Sequence, residues 1–223
     1  MVIGDADIWS DIFPEELVPR ILDLVTATWD DFDKPGESDH EVPITQRFRH
    51  ALKQAKDLKK LPLRIERELA EDHPVTGFEL GRIDLKFCPA MSALEEVYFA
   101  FECKRLNVIE NGSRRTLAPE YVIEGIQRFV TGQYAHSMTH GGMMAYVLDG
   151  KCDEAIRFVQ QNISRRATEL CMALPALLNR SSLRPDNILI RETAHNLPLS
   201  RRFRIHHLFL GCPRQEDLRT SVS

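Results

Sequence analysis

Apolar and polar positions alternate between two periods along this chain, and the changes of period mark its elements. From Phe13 to Trp29 (FPEELVPRILDLVTATW), Leu17, Ile21, Leu24, Val25 and Thr28 recur at helical spacing, with Pro14 in the first turn and Pro19 as a candidate kink. The polar segment DDFDKPGESDH carries Pro35-Gly36, the mark of a turn. A second helix is predicted from Pro43 to about Lys59, burying Ile44, Phe48, Ala51, Leu52 and Ala55. Period-two alternation follows in Leu61–Glu68, Phe78–Phe87 and Val97–Arg105, which read as three strands. They are joined by a turn at Pro74 and Gly77 and by the loop CPAMSALEE. Asn111-Gly112 marks another turn. Pro119–Ala135 returns to helical spacing with Val122, Ile126, Phe129 and Val130 inward, and HSMTHGG reads as a loop. Met143–Leu148 is wholly apolar, as a central strand should be. Asp153–Leu174 predicts a long helix, and Asn187–Glu192 and Phe203–Leu210 a terminal strand pair.

This order predicts an α/β (α+β) fold with a mixed sheet and helices on its faces. With 223 residues, 43% of them apolar, the chain can bury a core as one domain over residues 1–223. It divides into a helical extension (about 1–40), a core (about 41–150) and a C-terminal helix with its strand pair (about 151–223). No apolar run reaches membrane-spanning length and no signal-peptide pattern opens the chain, so a cytoplasmic protein without a membrane partner is expected. Cys88, Cys103, Cys152, Cys171 and Cys212 include no CxxC, which argues against zinc. Cys88, Cys103 and Cys171 have the apolar neighbours of buried thiols. The net charge of −4 hides an asymmetry: residues 1–103 carry 12 Lys/Arg against 22 Asp/Glu, and residues 104–223 carry 17 against 11. A basic second half suits a polyanionic substrate, and an acidic first half suits a protein partner.

The chemistry concentrates in residues 82–106. On the third strand Val97, Phe99, Phe101 and Cys103 share one face, and Tyr98, Ala100, Glu102 and Lys104 the other. Glu102 and Lys104 are then about 7 Å apart along the strand. If the strand of Ile83, Leu85 and Phe87 is its neighbour, Asp84 can sit across from Glu102. Two carboxylates could hold a hard divalent cation such as Mg2+ with several of its waters. An ion there makes water a better nucleophile, which Lys104 could orient. The plain alternative is a solvated strand face with a weak ion pair. Glu41 lies just before the second helix or in its first turn, where the helix dipole stabilises a carboxylate.

The arrangement Asp84…Glu102-Cys103-Lys104 on these elements resembles the PD-(D/E)XK, or restriction-endonuclease-like, nuclease superfamily, across roughly residues 41–150. The resemblance implies an αβββαβ core and a nuclease using Mg2+, with Mn2+ as substitute. It implies Asp84, Glu102 and the Cys103 backbone carbonyl as metal ligands, Lys104 as the group assisting the attacking water, and Glu41 as a further acidic ligand. Ile83 stands where the family name has proline. Glu79 is a poorer match than Glu41, because it lies five residues before Asp84 on the opposite face. The wording FAFECKRLN, YVIEGIQRFVTGQYA, GGMMAYVLDG and HHLFLGC also resembles small bacterial members found beside mobile elements and anti-phage defence genes. That implies an effector subunit working with a sensor or ATPase partner, or as a homo-oligomer.

The resemblance also implies substrate contacts from Arg128 and Tyr134, on the helix after E-x-K, with Gln127 and Gln133 as further polar groups there. Arg105, Arg114 and Arg115 could follow a DNA backbone. No Q-x-x-x-Y spacing occurs, which argues against the RecB-like subgroup. His136 and His140 have H-x-x-x-H spacing on a loop, without the glutamate of a zinc protease. Gly141-Gly142 would let a phosphate backbone come close. His206 and His207 point to opposite faces of a strand, one of them structural, and Arg201, Arg202 and Arg204 form a basic edge or a solvated hairpin. With no helix-turn-helix in evidence, specificity is expected from a partner or from assembly. The expected function is a metal-dependent endonuclease on DNA. The competing reading is a catalytically silent adaptor that keeps the fold and binds DNA or a protein.

Overall fold

The computed structural model describes residues 13–66, 69–72, 79–92, 94, 97–110, 112–135 and 138–212. Residues 1–12, the turn at Pro74 and Gly77, Phe78, Asn111 and His136 lie outside them. Helix α1 (Leu17–Asp31) comes first. Pro19 falls in its first turn, where a missing N–H costs no intrahelical bond, so the helix runs on without interruption. Helix α2 (Glu41–Leu58) begins at Glu41 and buries Ile44, Phe48 and Leu52 as its spacing predicts.

Seven strands make the main sheet: β1 (Leu63–Glu66), β4 (Leu85–Pro89), β5 (Phe99–Leu106), β8 (His140–Val147), β9 (Asn179–Arg180), β10 (Ile190–Asn196) and β11 (Arg202–Gly211). Their order is β1-β4-β5-β8-β11-β10-β9. Strands β1, β4 and β5 form an antiparallel meander, β8 runs parallel to both β5 and β11, and β10 closes back antiparallel on β11. Two hairpins stand apart from this sheet: β2 (Leu69–Asp72) with β3 (Glu79–Ile83), and β6 (Val108–Glu110) with β7 (Ser113–Arg115). Gly112, at φ +73, turns the second.

Helix α3 covers residues 118–130, and its middle five residues, Val122–Ile126, are π-helical. Helix α4 (Cys152–Arg165) connects β8 to the second half of the sheet. Helices α1 and α2 cover one face, where Trp29 and Phe48 meet Tyr146 of β8. Helices α3 and α4 cover the other, where Tyr121 donates to His207 Nδ1 at 3.0 Å.

Several expectations change. The second predicted strand is broken at Asp84, because β3 leaves the main sheet to pair with β2. The loop expected through Gly142 gives way to strand at His140. A Cβ on Gly142 would stand 2.2 Å from Phe101 Cε1, and one on Gly141 2.7 Å from Phe129 Cε1. Aromatic rings, not a phosphate backbone, use the space those glycines leave. The helix predicted to Leu174 ends at Arg165, and a series of turns follows in which Ala167 and Leu170 stay buried. The expected terminal strand pair forms, β10 antiparallel to β11, but β11 lies inside the sheet beside β8 rather than at its edge. His206 and His207 are both buried, and Cys171 is half-buried rather than enclosed. No helix among the described residues is long and apolar enough to cross a membrane.

Candidate functional site

Asp84 owes its position to the change of pairing partner between β3 and β4. The β4–β5 register ends at Leu85 opposite Phe101, one step from Asp84 and Glu102. Cys103 N donates to Asp84 Oδ2 at 2.7 Å, which fixes the carboxylate against β5. On the opposite face of β5 the Cys103 thiol meets Tyr146 of β8, whose hydroxyl lies 3.1 Å from Thr45 Oγ1 of α2. Glu102 and Lys104 therefore face α3, as the alternation predicts. That face is covered rather than solvated, and Glu102 is 1% exposed.

One carboxylate oxygen of Glu102 gathers two cations. Lys104 Nζ and Arg128 Nη1 each stand 2.9 Å from Oε1. Among the described residues Oε2 is buried without a hydrogen-bond partner, a costly condition that invites an explanation. Lys104 Nζ also donates to Glu41 Oε1 at 3.2 Å, and Arg105 N donates to Glu41 Oε2 at 3.0 Å. Glu41 can do this because it is the first residue of α2, aimed at β5. Arg128 Nη1 donates further to Tyr134 OH at 2.6 Å, and Tyr134 donates to the Arg82 carbonyl at 2.5 Å. Part of this placement comes from the π segment. It inserts an extra residue, which rotates the last turn of α3 by about 100° relative to a regular helix. Gly125 lies within that segment, with its Cβ position 3.8 Å from Lys104 Cγ, so α3 passes close over the lysine.

Burial sets the electrostatics. It pushes the Asp84 carboxyl up to about 6, although the Cys103 N–H and Lys104 pull the other way. Burial and then the neighbouring Asp84 push Glu102 up to about 7 against the pull of Lys104 and Arg128. For Lys104 burial acts to lower the pKa, but Glu102 and Glu41 outweigh it and hold the ammonium above its ordinary range. Burial raises the Tyr134 phenol, which stays neutral.

The sequence-predicted residues separate into two groups. Asp84, Glu102, Lys104, Glu41, Arg128 and Tyr134 come together, with the Cys103 peptide among them. Arg105 adjoins the cluster by its backbone, but its side chain donates to the Asp39 carbonyl at 3.1 Å. Arg114 is bidentate to Glu154 and 2.8 Å from Asp149, and Arg115 pairs with Glu110 and Glu120. These two arginines tie the β6–β7 hairpin to its surroundings. Arg201 donates to the carbonyls of Ala135 and Met138. The Arg82 and Asp39 carbonyls, which anchor Tyr134 and Arg105, escaped sequence reasoning because a backbone acceptor has no residue-type signature.

The donor set suits a hard cation: Glu102 Oε2 is unpaired and Asp84 lies within electrostatic reach of it. Both oxygens of Glu41 are occupied by Lys104 and Arg105, so its placement suits holding the lysine better than ligating an ion. Among the described residues no group of three or more His, Cys, Asp or Glu side chains is gathered as a ready metal cage. Mg2+ needs no such cage, since it keeps waters beside one or two carboxylates. No protein-family model, no curated protein and no solved structure matches this chain.

Proposed function

We propose that this chain is a metal-dependent endonuclease that hydrolyses phosphodiester bonds in DNA, on a restriction-endonuclease-like αβββαβ core. In this reading the core is α2, the meander β1-β4-β5, α3 and the parallel strand β8. The observation that carries it is the unpaired, buried Glu102 Oε2 beside Asp84 and Lys104. A structural ion pair would gain nothing by leaving that oxygen unsatisfied.

Asp84, Glu102 and the Cys103 carbonyl would hold Mg2+ or Mn2+. The ion supplies Lewis acidity and lowers the pKa of water at neutral pH. Lys104, clamped between Glu41 and Glu102, orients the attacking water and neutralises charge that develops on the phosphoryl oxygens. Arg128, 32% exposed, is the arginine in this cluster best placed to meet a phosphate. A single site cuts a single strand, so duplex cleavage calls for a second copy of the chain, and a sensor or ATPase partner would set when it acts.

The test is a digest of supercoiled, linear and single-stranded DNA and of RNA, with Mg2+, Mn2+ or chelator. Metal-dependent cleavage of DNA is expected, lost in Asp84→Ala, Glu102→Ala and Lys104→Ala while circular dichroism shows each variant still folded. Intact cleavage in all three variants would remove the site. Metal-independent DNA binding without nicking in either ion is the result expected of a silent adaptor.

A further inference from the structure

Arg128 serves two partners with one nitrogen: Nη1 donates to Glu102 Oε1 at 2.9 Å and to Tyr134 OH at 2.6 Å. The two cations on Glu102 Oε1 are not equivalent. Lys104 is 13% exposed and held from the far side by Glu41. Arg128 is more exposed, and its second partner is a neutral phenol tied to the Arg82 carbonyl. A divalent cation on Glu102 sets two positive charges beside both groups, and such repulsion is strong where water is scarce. Arg128 is the group with room to leave, and Tyr134 can act as its pivot. The guanidinium also lies over the Tyr134 ring, 5.5 Å from the centroid, so ring and hydroxyl both hold it as the Glu102 contact opens.

We propose that Arg128 couples metal binding to substrate binding: a cation on Glu102 displaces it, and it swings about Tyr134 onto a non-bridging oxygen of the substrate phosphate. This rests on the metal-dependent reading above and adds a regulation to it. The coupling is reciprocal, so a phosphate that draws Arg128 off Glu102 strengthens metal binding by the same factor.

The test is calorimetry on the whole chain at pH 8, where Glu102 is largely ionised. The probes are Ca2+, a cation that favours the same oxygen ligands, and a phosphorothioate DNA duplex, each alone and together. Arg128→Gln should bind Ca2+ alone roughly tenfold tighter than wild type, because a repelling charge is gone. Ca2+ should strengthen DNA binding by wild type roughly tenfold or more, and by Arg128→Gln by under about threefold. Tyr134→Phe should keep its Ca2+ affinity within about twofold and lose much of the coupling. Wild-type coupling in both variants overturns the proposal, as does a fall in melting temperature with coupling intact. Glu102→Gln separates the two ideas. If it binds Ca2+ like wild type, the metal reading falls and takes this proposal with it. If it loses Ca2+ while the Arg128 and Tyr134 variants couple normally, only the proposal falls.

Discussion

Raising the pH should weaken the fold through Asp84 and Glu102. In the unfolded chain these carboxyls titrate near their ordinary values, about 3.9 and about 4.3. In the folded chain burial holds them at about 6 and about 7. Between those limits the folded state binds protons that the unfolded state has released, so stability falls as pH rises through the window. The shifts correspond to about 3 kcal/mol for Asp84 and about 4 kcal/mol for Glu102. The repulsion between the two carboxylates acts once, within the Glu102 shift, so the two contributions add, and the pair costs roughly 6 kcal/mol between pH 4 and pH 8. The assay is urea denaturation across that range, comparing wild type with the Asp84→Asn/Glu102→Gln double variant. Other groups titrate alike in both proteins, so the difference between the two curves isolates the pair. Wild type should lose roughly 6 kcal/mol more than the variant, and Mg2+ at pH 8 should stabilise wild type alone. Parallel curves for the two proteins would refute the reasoning.

Cleavage should depend on pH in the opposite direction. Activity and metal affinity should rise as the carboxyls ionise, through about 6 for Asp84 and about 7 for Glu102, and level off above about pH 8, with the midpoint moving to lower pH at higher Mg2+, because the ion competes with protons for the same oxygens. Gly142→Ala should cost about 1–3 kcal/mol in thermal denaturation, since its Cβ would meet the Phe101 ring beside Glu102. Thr193→Val should cost about 1–3 kcal/mol, because the Thr193 hydroxyl lies 2.7 Å from His195 Nε2 and 2.9 Å from His207 Nε2 in a buried chain that ends at Tyr121. Thr193→Ser keeps the hydroxyl and should keep most of that stability.

Much of the site could be read from alternation. Glu102 and Lys104 share a face because they are two apart in a strand, and the strand was evident from Val97, Phe99, Phe101 and Cys103. That this face would be buried was written less plainly, in Tyr98 and Ala100, the apolar residues on the polar side. The α3 stripe was equally clear, and Val122, Ile126, Phe129 and Val130 are all buried. Its π segment was not, because an extra residue in one turn leaves no mark that a window of apolar residues can detect. Gly125 is the only local hint, and its meaning comes from Met143 and Lys104 on other elements. Gly141-Gly142 misled for the same reason: two glycines read as a loop until the rings of Phe101 and Phe129 are seen against them. Strand β11 was found as a strand, but its neighbour depends on a parallel crossover through α4, a long-range pairing that periodicity does not encode. Arginine was the hardest residue to place. Arg128 and Arg114 look alike in sequence, yet one reaches Glu102 and the other is consumed by Asp149 and Glu154.

The most direct measurement is the anomalous scattering of a crystal soaked in Mn2+. A peak bonded to Glu102 Oε2 and to Asp84, at about the 2.1 Å typical of such hard ions, with Arg128 drawn away from Glu102, is the result expected. Full occupancy of Mn2+ elsewhere in the protein, with the Glu102–Arg128 pair intact and no peak between the two carboxylates, would contradict the metal site on which the proposed hydrolysis depends.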